Sequence, residues 1–139
     1  MAELLLEHGE VDDAAYHFGI CGENAVKQML RLAGVEAAWI TAGAANGKTP
    51  RQALANTPMR GHFPSLVNLV QAAQQDIALY ATGRYSAHIS SLVLSSSFKF
   101  RFAGWEINIR YADSVCTPVT QQDCSAWNAD ADDLVLALV

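Results

Sequence analysis

Apolar residues recur every three or four positions along residues 12–35, and this periodicity predicts a long amphipathic helix. The expected buried stripe consists of Ala14, Ala15, Phe18, Cys21, Ala25, Met29, Leu32 and Ala33. Asp12 and Asp13 favour a helix start, because aspartate caps the first turn and interacts favourably with the helix dipole. Gly34 predicts the end. A helix of about six turns is long for a globular domain, so we expect it at the centre of the core.

Five further segments have helical patterns. They cover residues 2–8, 50–56, 64–81, 85–94 and 120–138, and residues 37–40, AAWI, allow one additional helical turn. Pro50 and Pro64 suit the first turn of a helix, and Thr120 is an expected cap of the last one. The expected buried face of that last helix consists of Ala126, Trp127, Ala131, Leu134, Val135 and Leu138. The pattern therefore predicts mainly helical structure.

Residues 98–111 have a different pattern, in which large apolar residues alternate with polar or small ones. The apolar positions are Phe98, Phe100, Phe102, Trp105, Ile107, Ile109 and Tyr111. Read locally, this alternation predicts a β-hairpin that turns at Ala103 and Gly104. A lone hairpin is only marginally stable and would have to pack on the helices. The periodicity alone therefore leaves a hairpin and an irregular segment of a helical protein as alternatives.

Composition indicates one folded domain over residues 1–139, since 51% of the residues are hydrophobic and 17% are charged. No apolar run approaches the roughly 20 residues needed to span a membrane, and the N-terminus has acids where a signal peptide has bases. We therefore expect a cytoplasmic protein. The net charge of −5 disfavours broad electrostatic binding to nucleic acid, although a local basic patch remains compatible with it.

The sequence predicts neither a metal site nor a cofactor. Its three cysteines, Cys21, Cys116 and Cys124, form no CxxC unit, and their odd number predicts reduced thiols, with Cys21 in the core. Residues 43–49, GAANGKT, superficially match a phosphate-binding loop. Only three residues separate the two glycines, where the loop requires four, so we do not expect a nucleotide site there.

Three segments in a fixed order carry a family resemblance. The first is residues 2–30, AELLLEHGEVDDAAYHFGICGENAVKQML; the second is His62 followed by Leu66, Val67, Leu69 and Val70; the third is residues 105–111, WEINIRY. They look like an opening helix pair, a histidine-led third helix and an arginine–tyrosine element before the last helix. Together they resemble the HEPN family, helical proteins named for higher eukaryotes and prokaryotes nucleotide-binding.

This resemblance implies an all-α, up-and-down helical bundle of about five helices, with an irregular segment near residues 98–115 in place of a hairpin. It also implies a homodimer. Relatives of this kind occur in prokaryotic toxin–antitoxin or defence loci beside minimal nucleotidyltransferases, so a nucleotidyltransferase-type protein is an expected partner.

Active HEPN proteins are metal-independent RNases in which four to six residues separate an arginine from a histidine. Only three residues separate Arg84 from His88, and no histidine follows Arg110, which occupies the position of the family's arginine. The resemblance therefore implies a non-catalytic module that dimerises and binds a protein, nucleotide or RNA partner. The alternative is an RNase toxin with a variant site built from Arg84 and His88, with or without Arg110.

Six residues are candidates for contact with a ligand or RNA: Glu23, Lys27, His62, Trp105, Arg110 and Tyr111. Glu23 and Lys27 are one helical turn apart and can pair. We also expect a partly buried pair between Glu23 and Arg110, because a carboxylate on a central helix needs a cation. The rings of Trp105 and Tyr111 either cover an edge of the core or stack on a base.

Overall fold

The computed structural model of the chain describes residues 11–105, 109 and 119–139. Within these residues it has seven α-helices and no strand, so the all-α prediction is confirmed, although the helix count exceeds the expected five. The helices are α1 (Val11–Leu32), α2 (Val35–Ala45), α3 (Pro50–Leu54), α4 (Ser65–Ala72), α5 (Gln74–Tyr80), α6 (Tyr85–His88) and α7 (Gln121–Leu136). The predicted helix over residues 2–8 lies outside the described residues. In the described part, no helix has both the length and the apolarity to cross a membrane.

Helix α1 forms the centre of the core, as the periodicity predicts, but its buried stripe is rotated from the expected one. Val26 and Leu30 are fully buried, whereas Cys21 and Leu32 are exposed. The prediction that Cys21 and Leu32 lie in the core is therefore wrong. The centre of the buried face of α1 runs close to Gly22, a residue that a hydrophobicity pattern does not score as apolar. At about 100° per residue, Cys21 and Leu32 both lie roughly 80–100° to one side of Gly22, at the edge of the buried face.

Helix α2 is longer than the sequence suggests. The pattern gives at most one helical turn near residues 37–40, but the structure has an eleven-residue helix that begins after Gly34, whose φ is 84°. Trp39 is the buried anchor of α2, and its Nε1 donates to Asp76 Oδ2 over 3.4 Å. Helix α3 begins at Pro50 as predicted, with Thr49 as its cap.

The predicted helix over residues 64–81 is two helices, α4 and α5, separated at Ala73, whose backbone leaves the helical region (φ −96°, ψ 7°). Of the apolar residues in this pattern, Leu66, Val70 and Ile77 are buried as expected, whereas Val67, Leu69 and Ala73 are only partly buried. Helix α6 continues as a π-helical turn over Ile89–Val93, so the prediction of helix over residues 85–94 is confirmed with a change of pitch.

Helix α7 packs along α1 more extensively than any other pair of described helices. The Thr120 side chain accepts a hydrogen bond from the Asp123 amide, which confirms the predicted cap. Trp127, Ala131 and Leu134 are buried as expected. Further residues change the expected face: Cys124 and Ala137 are also buried, Val135 and Leu138 are only partly buried, and Ala126 is exposed.

Residues 98–105 form no strand, so the β-hairpin that the local alternation predicts is absent from this part of the segment. A 3₁₀ turn covers Phe98–Phe100, and the backbone then turns sharply through Phe102 and Gly104, whose φ angles are 53° and 81°. This turn buries Phe98, Phe102 and Trp105 and leaves Phe100 exposed. The rest of the 98–115 segment, apart from residue 109, lies outside the described residues.

Candidate functional site

Glu23, Lys27 and His62 form one polar cluster, in which the carboxylate of Glu23 joins the two basic side chains. Glu23 Oε1 accepts from Lys27 Nζ over 3.0 Å and lies 2.8 Å from His62 Nδ1. A carboxylate oxygen can only accept, so Nδ1 is the nitrogen that carries the proton, and Nε2 is left as the second ring nitrogen of His62. The structure therefore brings together three of the six candidate residues, including one from a distant segment.

Burial differs sharply across this cluster. The side chain of Glu23 is 4% exposed and that of Lys27 12% exposed, whereas that of His62 is 56% exposed. The second carboxylate oxygen, Glu23 Oε2, is buried and has no hydrogen-bond partner within the described residues. Because an isolated buried charge is costly, Lys27 and His62 are the groups that hold the Glu23 carboxylate in the core. His62 is the member that presents itself to solvent.

Two segments position the cluster. Glu23 and Lys27 lie one turn apart on α1, which is the pairing that the sequence predicts. His62 lies just before α4, and its carbonyl oxygen accepts from the Leu66 amide over 2.7 Å. The next residue, Phe63, is buried with its ring 4.7 Å from that of Phe102. The backbone at His62 is therefore anchored by the start of α4 and by the buried ring of the next residue, while the imidazole itself is held by Glu23.

The aromatic residues beneath the cluster pack directly on the backbone of α1. The Phe102 ring occupies the space that a Cβ atom on Gly22 would need, and the indole ring of Trp105 does the same at Gly19. Trp105 Nε1 donates to the carbonyl oxygen of Ala15 over 2.8 Å. Trp105 is fully buried and covers the core, which leaves none of its faces open for stacking on a base.

Arg110 and Tyr111 lie outside the described residues, so the expected Glu23–Arg110 pair stays a prediction. Within the described residues the partners of Glu23 are Lys27 and His62. The buried Oε2 atom is the one that a further donor would take.

Arg84 and His88, the alternative catalytic pair, both lie beside Tyr85. Arg84 Nη2 donates to the Tyr85 hydroxyl over 2.7 Å, with its guanidinium carbon 4.7 Å from the ring centroid. The His88 ring centroid is 6.5 Å from that of Tyr85. The Tyr85 hydroxyl also donates to the carbonyl oxygen of Leu138 over 3.3 Å. These basic groups do not join the Glu23 cluster.

Arg101 is a polar residue of the core edge that sequence reasoning missed. Its Nη1 donates to Asp130 Oδ1 over 3.3 Å and to Asp133 Oδ2 over 3.0 Å, while Asp130 Oδ2 accepts from the Phe102 amide over 2.9 Å. Two aspartates three residues apart on α7 are the available signal, since such residues lie on one face of a helix. A neighbouring cavity of about 410 Å³ extends from Phe63 to Gly104.

Comparison of the chain with protein-family models, with curated proteins and with solved structures finds no match. Among the residues described, no group of three or more histidine, cysteine, aspartate or glutamate side chains is arranged to hold a metal ion. The geometry of the chain's own side chains is therefore the basis of any functional assignment.

Proposed function

We propose that the chain is a non-catalytic HEPN-like module that forms a homodimer and binds a protein, nucleotide or RNA partner, with the Glu23–Lys27–His62 cluster as its ligand-contacting site. The all-α bundle and the histidine that precedes α4 are compatible with the resemblance read from the sequence. A prokaryotic toxin–antitoxin or defence locus, with a nucleotidyltransferase as the protein partner, is the setting that this resemblance implies.

The observation that carries the proposal is the placement of His62. Its Nδ1 is tied to a buried carboxylate at 2.8 Å while more than half of its side chain remains exposed. Fixing a ring nitrogen in this way orients the imidazole and lowers the conformational entropy that the side chain loses when it contacts a ligand. An oriented ring on the surface is therefore better prepared for binding than a mobile one.

A nucleotide or RNA is the ligand class that suits this site best. Lys27 offsets the charge of Glu23, so the cluster does not present an uncompensated carboxylate to a phosphate. In its imidazolium form, His62 has an Nε2–H that can donate to a phosphate while its Nδ1–H donates to Glu23. Binding of this kind needs no reacting group, whereas an RNase needs a base and a phosphate-stabilising cation aimed at the same bond.

Fluorescence anisotropy with a labelled single-stranded RNA, and competition by ATP, would test the proposal. The His62→Ala variant removes the oriented ring, and Gln75→Ala, a change at an exposed polar residue on α5 outside the cluster, is the control. We expect His62→Ala to weaken binding by about tenfold, as for the loss of roughly one charge-assisted hydrogen bond, and Gln75→Ala to leave it unchanged. Equal binding by both variants, or no binding by the parent, would overturn the assignment of a nucleotide or RNA to this cluster.

A second candidate function is the metal-independent RNase. The grouping of Arg84 and His88 around Tyr85 favours it, because a cation and an imidazole lie on one short segment. Against it, no described side chain hydrogen-bonds the imidazole of His88, so nothing within those residues fixes the ring as a base.

A further inference from the structure

One side of α1 carries an exposed polar stripe along nearly the whole helix. Its members, here called the α1 stripe, are Asp13, His17, Cys21, Asn24, Gln28 and Arg31. Their spacings of three and four residues place them in one arc of the helix surface. At about 1.5 Å per residue, the stripe is roughly 27 Å long. All six are exposed.

The C-terminal half of the stripe forms one wall of an open groove. The groove has a volume of about 380 Å³, and Val135 and Leu138 from the end of α7 form its other wall. Leu136 and Val139 in the same segment are 69% and 90% exposed, and Leu32 at the end of α1 is also exposed. Exposed apolar side chains at the ends of the two helices that line an open groove favour contact with another protein surface.

The charges at the two ends of the α1 stripe are opposite. Asp13 lies in its first turn and Arg31 in its last, eighteen positions apart. Two copies of the stripe laid antiparallel, with the centre at the level of Gly22, would place Asp13 of each copy beside Arg31 of the partner subunit. The same register brings Cys21 to within one position of Asn24 of the partner subunit, so small or medium side chains lie at the centre of the contact. A parallel arrangement would instead juxtapose like charges at both ends.

We propose that a second copy of this chain occupies this face, with the two α1 helices packed antiparallel across a two-fold axis at the level of Gly22. The N-terminal half of each α1 then lies in the groove beside Val135 and Leu138 of its partner. A self-complementary patch is what an isologous dimer requires. The inference rests on the homodimer of the proposed function and names the surface and the register that form it.

A charge-swap experiment followed by sedimentation equilibrium at low salt tests this register. In Asp13→Arg, and separately in Arg31→Asp, like charges meet at both ends of the contact, and we expect the dimer dissociation constant to rise about tenfold. The double variant Asp13→Arg, Arg31→Asp restores opposite charges and should return to within about threefold of the parent. Because the double variant exchanges one aspartate for an arginine and one arginine for an aspartate, its net charge equals that of the parent.

Two controls separate this contact from other effects. Arg31 Nε also pairs with Glu36 Oε2 within the chain at 3.2 Å, so Glu36→Gln reports the loss of that pair alone and should leave dissociation unchanged. Arg51→Asp changes an exposed arginine on α3, which is not part of the stripe, and should also leave the dimer dissociation constant unchanged. Circular dichroism of each variant shows whether the fold is retained.

The outcomes distinguish this inference from the homodimer itself. A parent that is monomeric at micromolar concentration overturns both. A dimer that neither single variant weakens, or that the double variant fails to restore, overturns the α1 register and leaves the homodimer standing on another face.

Discussion

The indole ring of Trp105 lies against the backbone of α1 at Gly19, in the space that a Cβ atom on that glycine would occupy. The contact is fixed by the hydrogen bond from Trp105 Nε1 to the carbonyl oxygen of Ala15. Residue 19 is in the middle of a helix, where glycine normally destabilises relative to alanine by about 0.5–1 kcal/mol. The close approach of the ring is the physical reason for a glycine at this position.

We expect Gly19→Ala to destabilise the protein by about 1–3 kcal/mol, although the same change in an open helix would stabilise it. The added methyl group would overlap the indole ring, and either the ring or α1 would have to move. Urea denaturation followed by circular dichroism would measure the free energy of unfolding.

A double-mutant cycle with Trp105→Leu provides the control. Without the indole ring, Gly19→Ala should be neutral or stabilising by up to about 1 kcal/mol. If Gly19→Ala is equally destabilising in both backgrounds, the ring is not the cause.

These glycines also explain where the hydrophobic periodicity of α1 fails. The pattern identifies the helix, but it counts Cys21 and Leu32 as buried and ignores Gly19 and Gly22. In the structure both glycines are buried under aromatic rings, and Cys21 and Leu32 are exposed. Glycine carries no side chain for a hydrophobicity scale to score, and the rings that bury these two glycines lie 80 and 86 positions further along the chain, where no local pattern reveals them.

We expect Lys27→Met to destabilise the protein by about 3–5 kcal/mol, since it leaves the buried carboxylate of Glu23 without its ammonium partner. Both side chains are largely buried, which makes their 3.0 Å pair unlike a surface salt bridge. The matched control is Lys48→Met, the same change at an exposed lysine between α2 and α3, which should change stability by less than about 1 kcal/mol. Equal melting temperatures for the two variants would contradict the structural role of Lys27.

The Glu23–Arg110 pair is tested by the same measurement. Glu23→Gln and Arg110→Met are combined in a cycle, and coupling of more than about 0.5 kcal/mol would indicate contact between the two side chains. Additive effects would mean that the buried carboxylate relies on other partners. Lys27→Met with Glu23→Gln gives the reference coupling, because those two side chains are in contact.

Asp130 should be more important for stability than its exposed neighbour Asp132. It accepts from the Phe102 amide and from Arg101, at the point where the chain turns with a positive φ at Phe102. Asp130→Ala leaves both donors without that acceptor, and we expect a loss of about 1–3 kcal/mol. Asp132→Ala, a change of the same kind on an exposed side chain, should stay within about 0.5 kcal/mol of the parent. Thermal unfolding of the two variants side by side decides this.

The candidate site was only partly predictable from the sequence. The Glu23–Lys27 pair follows from helical spacing, because the two residues are one turn apart. The contact of Glu23 with His62 spans 39 positions and depends on how α4 packs on α1, so periodicity cannot supply it. The alternation of Phe98, Phe100 and Phe102 favoured a strand for the same reason: the acceptor that fixes the turn, Asp130, lies on a distant helix.

Finally, we expect the purified protein not to cleave RNA. General acid–base catalysis contributes about 10²–10⁴-fold and requires a base within hydrogen-bond reach of the proton that it takes. Arg84 is engaged by the hydroxyl and the ring of Tyr85, which directs its guanidinium to a neighbour. The net charge of −5 also gives the chain no general attraction for RNA.

Incubation of metal-stripped protein with total RNA and with tRNA tests this expectation, alongside an Arg84→Ala, His88→Ala double variant and the single variant His62→Ala. Cleavage by the parent that the double variant loses would make Arg84 and His88 the site of an RNase. Cleavage lost only in His62→Ala would instead assign the base to the imidazole that Glu23 orients, because a carboxylate on Nδ1 leaves Nε2 to accept a proton. Either result would contradict the non-catalytic proposal, and intact RNA in all reactions would support it.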